Sequence, residues 1–178
     1  MSVPALRIVD LAKRFAAHVV FSGVSLEVRA GECFGLIGAN GTGKTTLLRI
    51  LIDLDRADRG TIEIFGTDHH QSAARQRIAF LPERFTPVPF ATGAEFLRLL
   101  CRLHAVGYDE AAVQALCQEL LFDSKALRQR LAGYSKGMTQ KLGVLACLLV
   151  RPDLLVLDEP TSGLDPQSRA SVRRILLA

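Results

Sequence analysis

The chain has 178 residues, 49% hydrophobic and 22% charged, with a formal net charge of +4. That length is enough to bury a substantial core, and the composition excludes disorder, low complexity and a disulfide-dependent miniprotein. The basic residues are scattered in ones and twos without interleaved aromatics, so the positive balance reads as a solvated surface and no nucleic-acid partner is expected.

Residues 5–28 hold two or three short stretches rich in β-branched and aromatic residues (6–9, 19–21 and 24–28), separated by turn formers such as Ser22-Gly23. They predict an antiparallel opening. Gly31 then introduces Cys33-Phe34-Gly35-Leu36-Ile37, an apolar run that predicts a strand buried on both faces, followed by a glycine loop and a helix from about Lys44. Further strands are predicted at 61–65, after Gly60, and at 78–81, ended by Pro82. From Thr92 the period changes to 3.6. Phe96, Leu97, Leu99, Leu100 and Leu103 share one helix face, with Arg98 and Arg102 on the other. A second helix runs from an Asp109 cap through Val113, Cys117 and Leu121, and a third from Ser135 through Leu142, Leu145 and Leu149. Residues 92–150 thus read as a helical insert, after which 154–157 restores a buried strand and a last helix begins near Pro166. The longest apolar run, 142–150, is far too short for a bilayer span. The start, Met1-Ser2-Val3-Pro4, has no apolar block behind a basic cluster, so a cytoplasmic chain without a secretory leader is expected. Cys33, Cys101, Cys117 and Cys147 form no C-x-x-C pair and predict buried, reduced thiols.

Gly38-Ala39-Asn40-Gly41-Thr42-Gly43-Lys44-Thr45 matches G-x-x-x-x-G-K-[ST] between a predicted strand and a predicted helix. The glycines let successive N–H groups converge on phosphates, and the helix start adds its positive end. Lys44 is expected to reach the β- and γ-phosphates and Thr45 to offer a hydroxyl to Mg²⁺, with the binding segment running through Thr46. A glycine-rich turn would share the composition but not the flanking elements. Further on, the run 154–157 ends in Asp158-Glu159, two carboxylates at the carboxyl end of a buried strand, where open α/β sheets hold their ligands. Asp158 suits a Mg²⁺ contact through water and Glu159 a general base for attacking water, while a solvated acidic turn is the plainer alternative. Tyr134-Ser135-Lys136-Gly137-Met138 opens the third helix with a serine cap and a glycine. It is either an ordinary helix start or a second anion site.

Taken in order, these motifs resemble the nucleotide-binding domain of ATP-binding cassette transporters over nearly the whole chain. The resemblance implies an α/β P-loop NTPase fold with a mostly parallel core sheet, an N-terminal antiparallel β subdomain and an inserted α-helical subdomain. One domain, 1–178, would comprise a core (1–91 and 151–178) and a helical part (92–150). In that reading residues 134–138 are the family signature, and Thr161-Ser162-Gly163-Leu164-Asp165 is the D-loop. Phe15 is the aromatic that stacks on adenine, or else a core residue, and Glu83 stands where the family has a glutamine that touches Mg²⁺. The implied assembly is a head-to-tail dimer in which Ser135 and Gly137 of one subunit close on ATP held by the phosphate loop of the other. The implied work is ATP hydrolysis by Glu159, Lys44 and Glu83, powering a membrane permease from its cytoplasmic face.

Lys136, Met138 and Glu83 depart from the family pattern, and such variants resemble the drug, antibiotic and polysaccharide exporter branch. His18, His69, His70 and His104 all precede the signature, so none stands at the family's switch histidine, which follows the D-loop helix. The resemblance therefore implies a domain incomplete at its C-terminus, with turnover by these 178 residues alone in question. Two other readings are a soluble cassette ATPase acting on DNA or ribosomes and a nucleotide-binding module without turnover. The first is disfavoured because the chain has neither a long coiled-coil insertion nor a second cassette.

Overall fold

The chain opens on a hairpin. In the computed structural model, β1 (Leu6–Phe15) and β2 (His18–Val28) pair antiparallel from Leu6 opposite Val28 to Phe15 opposite His18. Residues 3–177 are described; Met1 and Ser2, where the leader reading starts, and Ala178, where the predicted domain ends, lie outside the described residues. The break expected at Ser22-Gly23 does not occur, since β2 runs through both. The irregularity falls instead on the register, which shifts between Ile8 and Leu11 and again before Arg14. Asp10, at φ 47, turns its N–H to the Ser25 hydroxyl at 2.9 Å, and this bulge lets Ile8 and Leu11 both face inward although they are three positions apart.

β3 (Arg59–Ile64) pairs antiparallel with the other edge of β1, and β4 (Thr67–Asp68) folds back on β3, giving the order β2-β1-β3-β4. The buried side chains here include Leu6, Ile8, Leu11, Val28, Ile62 and Ile64 of the sheet, with Leu47, Ile50 and Leu51 of α1 (Lys44–Leu51). A short helix, α2 (Ser72–Arg75), follows. These elements make up the unit Met1–Ile78, and the rest of the chain forms a second, Ala79–Ala178.

Residues 33–37 correct the sequence reading. They carry no strand and are exposed, Ile37 to 95%. A buried strand needs hydrogen-bonded neighbours as well as apolar side chains, and the ladders of this unit run β2-β1-β3-β4 without it. The mostly parallel core sheet expected from the sequence would require that strand. The described sheets are the four-stranded antiparallel one and a two-stranded pair, so the fold is mixed α/β.

That pair, apart from Ile78, belongs to the second unit: β5 (Ile78–Leu81) beside β6 (Leu154–Leu157). Around it lie α3 (Gly93–Leu103), α4 (Glu110–Glu119), α5 (Lys136–Leu149) and α6 (Pro166–Leu176). Each starts at a side-chain cap: Thr92 with Glu95 in a capping box, then Asp109, Ser135 and Asp165. The core gathers Leu97, Cys101, Val113, Cys117, Leu142 and Leu145. On α3 the buried stripe is Gly93, Leu97 and Cys101, four residues apart, so Leu99 and Leu103 point outward, against the face predicted for them. Along β6 only Val156 is fully buried. The four cysteines are free thiols as expected, but Cys33, on the run without a ladder, is exposed. Burial pushes the Cys117 thiol up to about 11 and the Cys147 thiol up to about 12. No helix among the described residues is long and apolar enough to cross a membrane.

Candidate functional site

In the first unit the phosphate-loop residues lead directly into α1. Gly41 and Gly43 both take positive φ, 82° and 90°, and Gly43 is the residue before the helix, its carbonyl accepting from Leu47 N at 2.8 Å. A β-carbon at Gly43 would stand 2.5 Å from Val20 Cγ1 and 3.0 Å from Phe21 Cδ1, so any other residue there forces these side chains to shift as well as straining the backbone. Lys44 folds back over the loop, and its ammonium donates to the carbonyl oxygens of Gly38 at 2.7 Å and Ala39 at 2.9 Å. The Thr42 hydroxyl donates to Ala39 O at 2.9 Å. Ala39, Asn40, Gly41 and Thr42 are exposed, as is Thr45 in the first turn of α1, whereas Thr46 is half-buried. That first turn holds no acidic residue, so the positive end of the helix is left uncompensated beside Lys44. Phe15, at the tip of the hairpin whose β2 strand abuts Gly43, is 49% exposed and has Lys13 Nζ 4.8 Å above its ring. It is a surface aromatic and not a core residue.

In the second unit the carboxyl ends of β5 and β6 meet. Asp158 N donates to Leu81 O at 2.9 Å, and Glu83 stands exposed two residues past the end of β5. Asp158 is 6% exposed, and its Oδ2 has no hydrogen-bond partner among the described residues. An unpaired buried carboxylate oxygen is costly unless a cation or ordered water meets it, so the donor set fits a hydrated hard cation. Glu159 is exposed and sits at φ 51, in the left-handed region that few non-glycine residues adopt. Its carbonyl is held twice, by Ser162 N at 3.0 Å and by Gln140 Nε2 at 3.3 Å.

Gln140 is a functional candidate that the sequence reading missed. It is buried on α5 among leucines and reaches from the signature helix to the acidic pair. The only signal was an amide at a core-facing position. Tyr134 anchors the signature from the other side, its hydroxyl donating to Ala126 O at 2.7 Å, and burial pushes its phenol up to about 12. Ser135 Oγ accepts from Met138 N at 3.2 Å, and Gly137 lies against the Gly163 carbonyl, so residues 135–138 and 161–165 touch within this unit.

A family model described as "ABC transporter" matches residues 21–162. Among relatives, an uncharacterized ABC transporter ATP-binding protein of Synechocystis sp. is 40% identical over 87% of this chain and 45% of its own length. The ABC transporter ATP-binding protein YdbJ of Bacillus subtilis is 35% identical over 97% and 56%. The Nod factor export ATP-binding protein I of Ralstonia nicotianae is 38% identical over 94% and 53%. The chain spans about half the length of the curated relatives it matches. A solved ATP-binding subunit of an ABC transporter superposes with a TM-score of 0.83 at 32% identity, covering 97% of this chain and 73% of that one. The sequence motifs, the glycine-shaped turn into α1 and these matches agree: the chain belongs to the ABC transporter family, in its ATP-binding domain.

Proposed function

We propose that this chain binds and hydrolyses ATP as the motor part of an exporter, driving a separate permease from the cytoplasmic face of the membrane and working as a head-to-tail pair. The observation that carries the reading is the loop 38–45, in which Gly43 turns the backbone into α1 and Lys44 lies across the loop at an uncompensated helix N-terminus. Converging N–H groups and one ammonium are what a triphosphate requires. The export direction is supported by the Nod factor export relatives and by Lys136, Met138 and Glu83, while the permease would select the cargo.

Thr45, Glu83 and Asp158 are the residues that would hold Mg²⁺, and the orphan oxygen of Asp158 is the feature that fits it best. When bound, Mg²⁺ supplies charge neutralisation on the phosphates. Lys44 adds charge to the phosphates, Phe15 offers a face to the adenine, and Glu159 accepts a proton from the attacking water. Ser135 and Gly137 present a capped helix start to the nucleotide of a second copy.

The experiment is nucleotide-dependent thermal unfolding together with hydrolysis. MgATP at a hundred times its dissociation constant stabilises the parent by about 2.7 kcal/mol, and Lys44→Ala loses that shift. Glu159→Gln keeps the shift but slows turnover by about 10² to 10⁴. No shift in the parent, or an equal shift in Lys44→Ala, refutes the proposal.

A further inference from the structure

At the far end of α1 from the phosphate loop, the first unit brings together two histidines and a carboxylate that the nucleotide chemistry leaves unused. Asp53 lies just past the helix, its N–H bonded to Ile50 O at 3.0 Å, and His69 and His70 follow β4. One ligand atom from each of Asp53, His69 and His70 falls within 4.8 Å of the others. His69 is 5% exposed, and neither ring nitrogen makes a hydrogen bond of sound geometry among the described residues, the Ile62 backbone being only close enough to favour the charged ring weakly. Its nearest carboxylate outside the trio, Asp68 Oδ1, stands 3.6 Å from Nδ1, beyond hydrogen-bond reach. An imidazole removed from water with both nitrogens unmet is destabilising unless something else meets them. The His70 ring lies against it, centroids 3.9 Å apart, and is open to solvent on its other side.

We propose that Asp53, His69 and His70 form a site for a divalent transition metal of the zinc class, with water completing its shell on the exposed side of His70. Two imidazoles and one carboxylate with an open position is a usual ligand set for Zn²⁺ and its neighbours, and a poor one for Mg²⁺, which prefers oxygen. Arg75 is the positioning residue. Its Nη1 holds Asp53 Oδ2 at 2.8 Å and also donates to the carbonyls of His69 and His70, so it fixes the carboxylate and the histidine backbone together. Asp53 Oδ1 then faces the histidines, 2.6 Å from His70 Nδ1. Two atoms bound to one Zn²⁺ stand roughly 3.4 Å apart, so occupation opens that contact slightly and replaces a hydrogen bond by two coordinate bonds. Burial, and then the neighbouring His70, hold His69 below its ordinary value.

The test is titration of the full, tag-free, nucleotide-free chain with Zn²⁺, and separately with Co²⁺ as a spectroscopic probe. One equivalent of Zn²⁺ should bind in calorimetry, excess Mg²⁺ should not displace it, and Co²⁺ should develop the visible absorption of a low-coordinate site. Because His69 is buried and its loss could unfold the unit, the exposed His70→Ala and the conservative Asp53→Asn carry the comparison, with circular dichroism confirming the fold. Each should weaken Zn²⁺ by about tenfold or more. Absence of stoichiometric binding to the folded parent, displacement by Mg²⁺, or unchanged affinity in both variants overturns the site.

Discussion

The aliphatic stem of Lys136 lies across Gly163: a β-carbon on Gly163 would stand 2.8 Å from both Cδ and Cε of the lysine. The residue that would replace the first signature glycine on the proposed reading is therefore packed against the loop 161–165 of its own unit, where Gly163 takes φ 73°. Two costs face Gly163→Ala, a left-handed backbone and a displaced side chain. The first is about 1 to 2 kcal/mol for a residue with a β-carbon, and the second is small because a lysine stem swings away. Urea unfolding of the two single variants and the double variant Lys136→Ala, Gly163→Ala should give a coupling below about 0.5 kcal/mol. A coupling well above 1 kcal/mol would show that the contact, and not the backbone, requires glycine at this position.

Gly43→Ala reverses that balance. Its β-carbon would meet the half-buried side chains of Val20 and Phe21, which are shorter and stiffer than a lysine stem, at a φ of 90°. Overpacking adds about 1 to 3 kcal/mol to the 1 to 2 kcal/mol of backbone strain. Adding Val20→Ala should recover part of the steric share and none of the conformational share. Chemical denaturation of the single and double variants measures both, and full recovery by Val20→Ala would contradict the conformational argument.

Gln140 is buried and holds the Glu159 carbonyl, so Gln140→Leu removes the amide bond while keeping most of the buried volume. The residue it positions has a strained backbone, and misplacement of a catalytic group by about 1 Å typically costs up to 10² in rate. In protein that turns over ATP, kcat should fall by about 10 to 10² while KM and the nucleotide-induced thermal shift stay near parent values. A parent-like kcat would make Gln140 a packing residue only.

What the sequence disclosed was local chemistry. The turn into α1, the caps Asp109, Ser135 and Asp165, and the strand ends before Pro82 and Asp158 each rest on a few adjacent residues whose conformational preferences act together. Strand membership of 33–37 was different in kind, because a strand is defined by the partners it pairs with, and apolar composition does not name them. Leu99 and Leu103 were misassigned since a leucine-rich stretch leaves the phase of the helix undetermined until Cys101 is known to face the core. The trio Asp53, His69 and His70 was invisible for a third reason: α1 and β4 bring its members together, and each alone is unremarkable in sequence.

Thiol labelling tests where these two accounts differ. Cys101, Cys117 and Cys147 are buried, and burial raises all three thiols, the last to about 12. At pH 8 a thiol of that value is thiolate in roughly one part in ten thousand, and the thiolate is the species that reacts. Cys33 stands exposed at the start of the run that lacks a ladder. An alkylating reagent at pH 8 should therefore modify one cysteine quickly in the folded chain, mapped by mass spectrometry to Cys33, and the other three only after denaturant. Cys33→Ser should abolish the fast phase. If Cys33 is instead as slow as the buried three, residues 33–37 are covered in solution, as their composition predicts.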